Sequence, residues 1–102
     1  RNVVAVNIHR LEIPGRARAG EPVAFTVSGA FPDPSFQFRR FEITQQADRI
    51  RIRPIGDTSG EIVPGVEVPV NLNGELPPLS PGTYHIEFPE AGPHGAYELI
   101  VE

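Results

Sequence analysis

Apolar residues recur at every second position along this chain, in short runs from one end to the other. In residues 83–88, Tyr84, Ile86 and Phe88 share one parity while Thr83, His85 and Glu87 take the other. Residues 23–28 set Val23, Phe25 and Val27 against Ala24, Thr26 and Ser28. Residues 49–53 set Ile50 and Ile52 against Arg49, Arg51 and Arg53, and the chain closes on Tyr97, Leu99 and Val101. A repeat of two belongs to extended strands, whose successive side chains leave on opposite faces. β-Branched and aromatic residues dominate the apolar parity, as a pleated surface with one covered face favours. No window of useful length has helical spacing.

The irregularities in the repeat are as informative as the repeat. Residues 2–13 place Val4, Val6 and Ile8 on one parity, then Leu11 and Ile13 on the other. Such a flip predicts a β-bulge, or a switch between sheets, near His9 and Arg10. Phe36 and Phe38 give way in the same manner to Phe41 and Ile43, which predicts a second bulge at Arg39 and Arg40. Proline and glycine punctuate the runs. Pro14-Gly15, residues 31–34, 56–60 and 89–95, Asn73-Gly74 and the proline-rich stretch up to Gly82 read as turns or loops. Pro54 marks an edge-like strand end, and Pro64 and Pro69 mark an edge or broken strand carrying Val66, Val68, Val70 and Leu72 on one face. About seven strands result, and the expectation is one antiparallel β-sandwich domain over residues 1–102. Its interior would hold Val4, Val6, Val23, Phe25, Val27, Phe38, Phe41, Ile50, Ile52, Val68, Val70, Tyr84, Ile86, Phe88, Leu99 and Val101.

Composition narrows the function classes. A chain of 102 residues buries enough surface for one core without metal or disulfide support. The absence of Cys removes disulfides, thiolate metal sites and a cysteine nucleophile. The absence of Met reads as a processed product or an excised piece of a longer protein. No apolar run approaches the ~20 residues of a membrane-spanning helix. The net charge of −4 argues against nucleic acid. All nine basic residues are Arg and lie within residues 1–54, which carry +4; residues 55–102 carry −8. Opposite halves of this kind predict salt-sensitive, head-to-tail self-association.

Three stretches carry a family resemblance. Gly20-Glu21-Pro22-Val23-x-Phe25-x-Val27-x-Gly29 resembles the second strand of immunoglobulin-like modules in bacterial surface proteins and lipoproteins. Residues 38–44 with residues 48–52 resemble the central hairpin of those modules. Pro81-Gly82-Thr83-Tyr84 resembles the corner that opens their sixth strand, where a tyrosine hydroxyl bonds back to upstream backbone. Carried over, Tyr84 would bond near Leu79. The paired Cys and core Trp of antibody domains are missing, so the chain departs from that branch. The resemblance implies an immunoglobulin-like or fibronectin-type-III-like sandwich and a secreted, periplasmic or cell-surface location. It also implies a non-catalytic interaction or spacing role with no cofactor.

Little in the sequence points to chemistry. There is no Gly-x-Ser-x-Gly elbow, and Ser28, Ser35, Ser59 and Ser80 fall at turns or strand ends. His85 and His94, with Glu87 or Glu98, form the one grouping that offers ligands to a divalent cation, at a spacing that matches no metal motif. Recognition is the better prospect. Arg49, Arg51 and Arg53 form a stripe with Arg39 and Arg40 beside it, suited to a carboxylate- or sulfate-bearing glycan or an acidic protein surface. The competing reading pairs these cations with Glu42, Glu61 or Glu67 across strands. Phe31, between the second and third strands and followed by Pro32 and Pro34, is not assignable to the interior and makes either an exposed apolar recognition loop or a cap over the core; His94 tips the loop at 89–95. The candidate binding residues are therefore Arg39, Arg49, Arg51, Arg53, Phe31 and His94. The partner is another protein or an acidic glycan; in the alternative reading the chain is a small binding protein, such as an enzyme inhibitor, acting through the Arg face.

Overall fold

The computed structural model describes residues 2–58 and 67–102. The expectations for Val4 as a core side chain, for Ser59 and Gly60 as a turn, and for Glu61, Pro64 and Val66 lie outside the described residues and side chains. Among those described there are nine strands: β1 (Asn2–Ala5), β2 (Asn7–Glu12), β3 (Arg16–Ala17), β4 (Val23–Phe31), β5 (Phe36–Gln46), β6 (Arg49–Thr58), β7 (Val68–Leu76), β8 (Gly82–Glu87) and β9 (Ala96–Val101). One 3-10 segment, Pro89–His94, joins β8 to β9. The protein is all-β and built from two sheets. The smaller has the order β2-β4-β7; the larger runs β1-β6-β8-β9-β3, with β5 on the other edge of β6.

The larger sheet is mixed and curled rather than purely antiparallel. β6 pairs with β8 in parallel through Arg49↔His85, Ile50↔Ile86 and Arg51↔Glu87, and β3 runs parallel to β9. The reason is connectivity. After β6 the chain crosses to the smaller sheet as β7 and returns as β8 in the direction of β6, and a crossover yields a parallel neighbour. The expected seven antiparallel strands are corrected in both number and direction.

Both predicted bulges are present. The β2–β4 register shifts between Ile8 and Arg10, and the β5–β6 register shifts between Phe38 and Arg40. The change of sheet comes earlier than the first bulge, at Val6, where the chain passes from β1 beside β6 to β2 beside β4.

Three punctuation signals resolve differently from expectation. Pro54 lies inside β6, a strand with neighbours on both edges. Its carbonyl accepts from the Val6 N–H at 3.0 Å. The N–H and C=O of one strand residue point the same way, so the donor that proline lacks faces the gap where β8 leaves β6 and β1 joins it. Gly56, Asp57 and Thr58 continue β6 instead of turning, because β1 and β5 flank them. Asn73-Gly74 is strand as well: Gly74 sits opposite Phe25 in β7. A Cβ there would lie 2.5 Å from the Phe25 ring and 2.7 Å from the Phe41 ring, so glycine makes room for aromatics rather than for a turn. The edge position of β7 matches the reading of Pro69, since among the described strands β7 pairs only with β4.

The inward parities meet as one core of Val23, Phe25, Val27, Ile50, Ile52, Ile86, Phe88, Leu99 and Val101 with Ile8, Leu76, Leu79 and Tyr84. Val6 is also buried, whereas Phe38, Phe41, Val68 and Val70, expected inside, are only half-buried. They line the open flank between the edge strands β5 and β7. Rings cross the interior edge-on, Phe41 to Phe25 at 4.9 Å and Phe25 to Phe88 at 5.7 Å between centroids. At the start of β8 the Tyr84 hydroxyl donates to the Ser80 carbonyl at 2.8 Å, one residue from the expected acceptor, and pins the proline-rich loop to the strand.

Candidate interaction surface

The strict alternation of β6 turns Ile50 and Ile52 into the core and leaves Arg49 and Arg51 exposed and Arg53 half-exposed on the outer face of the larger sheet. Register decides their neighbours. Across β5 the stripe faces Gln46, Thr44 and Glu42; across β8, Arg49 faces His85 and Arg51 faces Glu87. Arg39 and Arg40 are not beside the stripe, because the bulge carries them toward Ile55 and Asp57.

Most of the cations are already neutralised, and chiefly by acids other than those expected. Arg51 Nε donates to Glu87 Oε1 at 3.0 Å, and Arg53 Nε reaches the Glu90 carboxylate at 3.1 Å. Arg40 approaches Glu42 at 3.8 Å. Arg39 Nε lies 2.9 Å from both oxygens of Asp57, whose side chain is 6% exposed. A carboxylate drawn that far from water needs such donors, so Arg39 serves the fold before any ligand. Arg49 alone of the stripe makes no ion pair among the described residues. It lines a shallow cleft of about 770 Å³ with Thr44, Gln46, His85, Ala96 and Tyr97. Ile50 and Ile86, whose side chains turn inward, also border the cleft.

The cleft is electrically mixed. Arg49 contributes an open positive charge, Arg51 and Glu87 cancel, and His85 Nε2 is 3.7 Å from Asp48. Thr44 and Gln46 add neutral hydrogen-bonding groups. This arrangement can orient a polar ligand or a loop of another protein. Among the described residues no three His, Asp or Glu side chains group as metal ligands, and His85 and His94 are both exposed.

The loop candidates separate as well. Phe31 is 3% exposed, the last residue of β4, and its ring stacks on Phe36 at 5.6 Å. Of the two readings of Phe31, the cap over the core agrees with this burial, and the exposed recognition loop is corrected. Gly56 faces Phe31, with no space for a Cβ against its ring. Pro32 and Pro34 stay exposed, and Asp33 accepts from the Ser35 N–H at 2.8 Å, which fixes the turn. His94 is exposed in the 3-10 segment. Thr44, Gln46 and Tyr97 were missed in the sequence because their importance depends on a parallel β6–β8 pairing that periodicity does not encode. Comparison with known proteins returned no match: no family model, no curated protein and no solved structure.

Proposed function

We propose that this chain is a non-catalytic immunoglobulin-like module, an interaction or spacing domain of a bacterial secreted or surface protein. The observation that supports it most is where the outer strands point. Asn2 at the start of β1 is level with Thr58, while Val101 at the end of β9 is level with Gly82, which lies beyond the opposite end of β6. Along the strands these points are about 40 Å apart at roughly 3.3 Å per residue. That is most of the 48 Å long axis of a body only 22 × 20 Å across. A domain entered at one end and left at the other adds length to whatever it connects. The hydroxyl of Tyr84 bonded to the Ser80 carbonyl supports the immunoglobulin-like part of the reading, since that corner recurs in such sandwiches. Scattering from two copies fused in tandem tests the spacing role. An extended particle of roughly doubled length is expected, and a folded-back pair with the length of one copy would remove the reading.

A second reading, a binding protein for an acidic glycan or protein, rests on Arg49 and its cleft. Binding to uronic-acid or sulfated glycans at two salt concentrations decides between them. This reading expects salt-sensitive binding that Arg49→Ala abolishes and Arg53→Ala leaves largely intact, because Arg53 is held by Glu90. Binding indifferent to both substitutions would end it.

A further inference from the structure

We propose that the free edge of β5 is a self-association surface, where two copies of this chain join by antiparallel strand addition centred on Ile43. β5 is bonded to β6 along one edge, and among the described residues its other edge has no backbone partner. Which groups are free follows from Pro54. Its carbonyl accepts from Val6, so Pro54 turns its polar backbone away from β5. Antiparallel ladders alternate hydrogen-bonded and non-bonded pairs. Phe41 opposite Pro54 is therefore in a non-bonded pair, and so are Ile43 opposite Ile52 and Gln45 opposite Ile50. The N–H and C=O groups of Phe41, Ile43 and Gln45 thus point outward along a run free of bulges, the irregularity lying before Arg40.

A two-fold axis at Ile43 sets Ile43 against its own copy, Phe41 against Gln45 and Gln45 against Phe41. All three free residues then exchange both of their hydrogen bonds. On the outer face the same register puts Glu42 opposite Thr44 and Arg40 opposite Gln46, so no like charges meet. Other registers do worse. Centring on Glu42 opposes two carboxylates across the axis, which is destabilising. Centring on Phe41 brings the bulged Arg39 into the ladder, and centring on Thr44 runs Phe41 past the end of the hairpin.

The inner face gives the second copy something to cover. Phe41 and Ile43 of β5 and Val70 and Leu72 of β7 are half-buried along the open flank between the sheets. The other long edges are blunted: β7 carries Pro69, which lacks a donor, and β2 carries a bulge. β5 keeps the one long, proline-free edge with an uninterrupted register over residues 40–46 among the described strands. An isologous pair closes on itself, leaving no further copy to add at that edge. This inference stands apart from the spacing role and does not depend on it.

Sedimentation equilibrium of the chain from micromolar to millimolar concentration tests it, with circular-dichroism melting to check the fold. A reversible monomer–dimer equilibrium is expected. Gln45→Pro removes an outward donor without touching a bond to β6 and should weaken the dimer at least about tenfold with the fold retained. Thr44→Lys meets Glu42 of the other copy twice and should tighten the dimer about fivefold at low salt, whereas Thr44→Glu should weaken it by a similar factor. Amide exchange at Phe41, Ile43 and Gln45 should be fast in the monomer and slow in the dimer, unlike that at Glu42 and Thr44, which are slow in both. A chain that stays monomeric at millimolar concentration, a dimer indifferent to Gln45→Pro, or the same response to both charges at Thr44 would overturn the proposal.

Discussion

Ala47 adopts φ 54° in the two-residue connection between Gln46 and Arg49, a left-handed conformation in which an alanine Cβ crowds its own carbonyl. The turn requires it, because tight hairpins match the strand twist only with positive φ. Asn or Gly tolerates that conformation better. Ala47→Gly should stabilise the chain by about 0.5–1 kcal/mol once the extra freedom of an unfolded glycine is offset. Urea titration measures it, and an unchanged midpoint would show that the hairpin relaxes to accept alanine. The residue scale also shows an expectation drawn from the family resemblance met one residue away from where it was placed. Tyr84 follows Pro81-Gly82-Thr83, and its hydroxyl is 2.8 Å from the Ser80 carbonyl because donor and acceptor are only four residues apart. Such a contact is specified by the stretch that contains it.

Among the elements, β7 is the instructive case. Asn73-Gly74 has the composition of a hairpin turn, yet the strand runs through it to Leu76. The deciding contact is tertiary: the Phe25 and Phe41 rings occupy the space a side chain at position 74 would need. Gly74→Ala therefore overpacks a site between two sheets and should cost about 1–3 kcal/mol. A turn glycine with room around it would cost less than half of that, so the size of the change in a denaturation midpoint separates the two roles. β4, β8, β9 and the first half of β6 were legible because their alternation is unbroken and one face of each is buried. β1 and β2 were legible only as a run with a flaw. The bulge sits at the parity flip between Ile8 and Arg10, but the exchange of sheets at Val6 leaves no trace in the alternation.

At the scale of the molecule, the segregation of charge along the sequence does not survive folding. Arg16 meets Glu102 at 2.8 Å, Arg51 meets Glu87 and Arg53 meets Glu90, each joining the basic half of the chain to the acidic half. These three pairs neutralise within one copy part of the charge on which the expected head-to-tail association rests. Glu90 is the better sheltered of these acids, with 12% of its side chain exposed against 40% for Arg53. A double-mutant cycle on Arg53→Ala and Glu90→Ala should return a coupling of about 0.5–1 kcal/mol, the upper part of the range for pairs near water. Additive single substitutions would mean that the pair forms without stabilising the fold.

By itself the sequence determined that the chain is all-β, which face of each regular strand is buried and where the two bulges fall. These are properties of alternation, so nearest-neighbour stereochemistry contains them. Only the tertiary structure decided that β8 returns parallel to β6, that Pro54 is central, that Phe31 is interior, and that Arg49 keeps an open charge while Arg51 and Arg53 do not. Each depends on which strands become neighbours. That choice is made by the pairing of distant segments, whose energy is shared across the whole core and written in no single stretch.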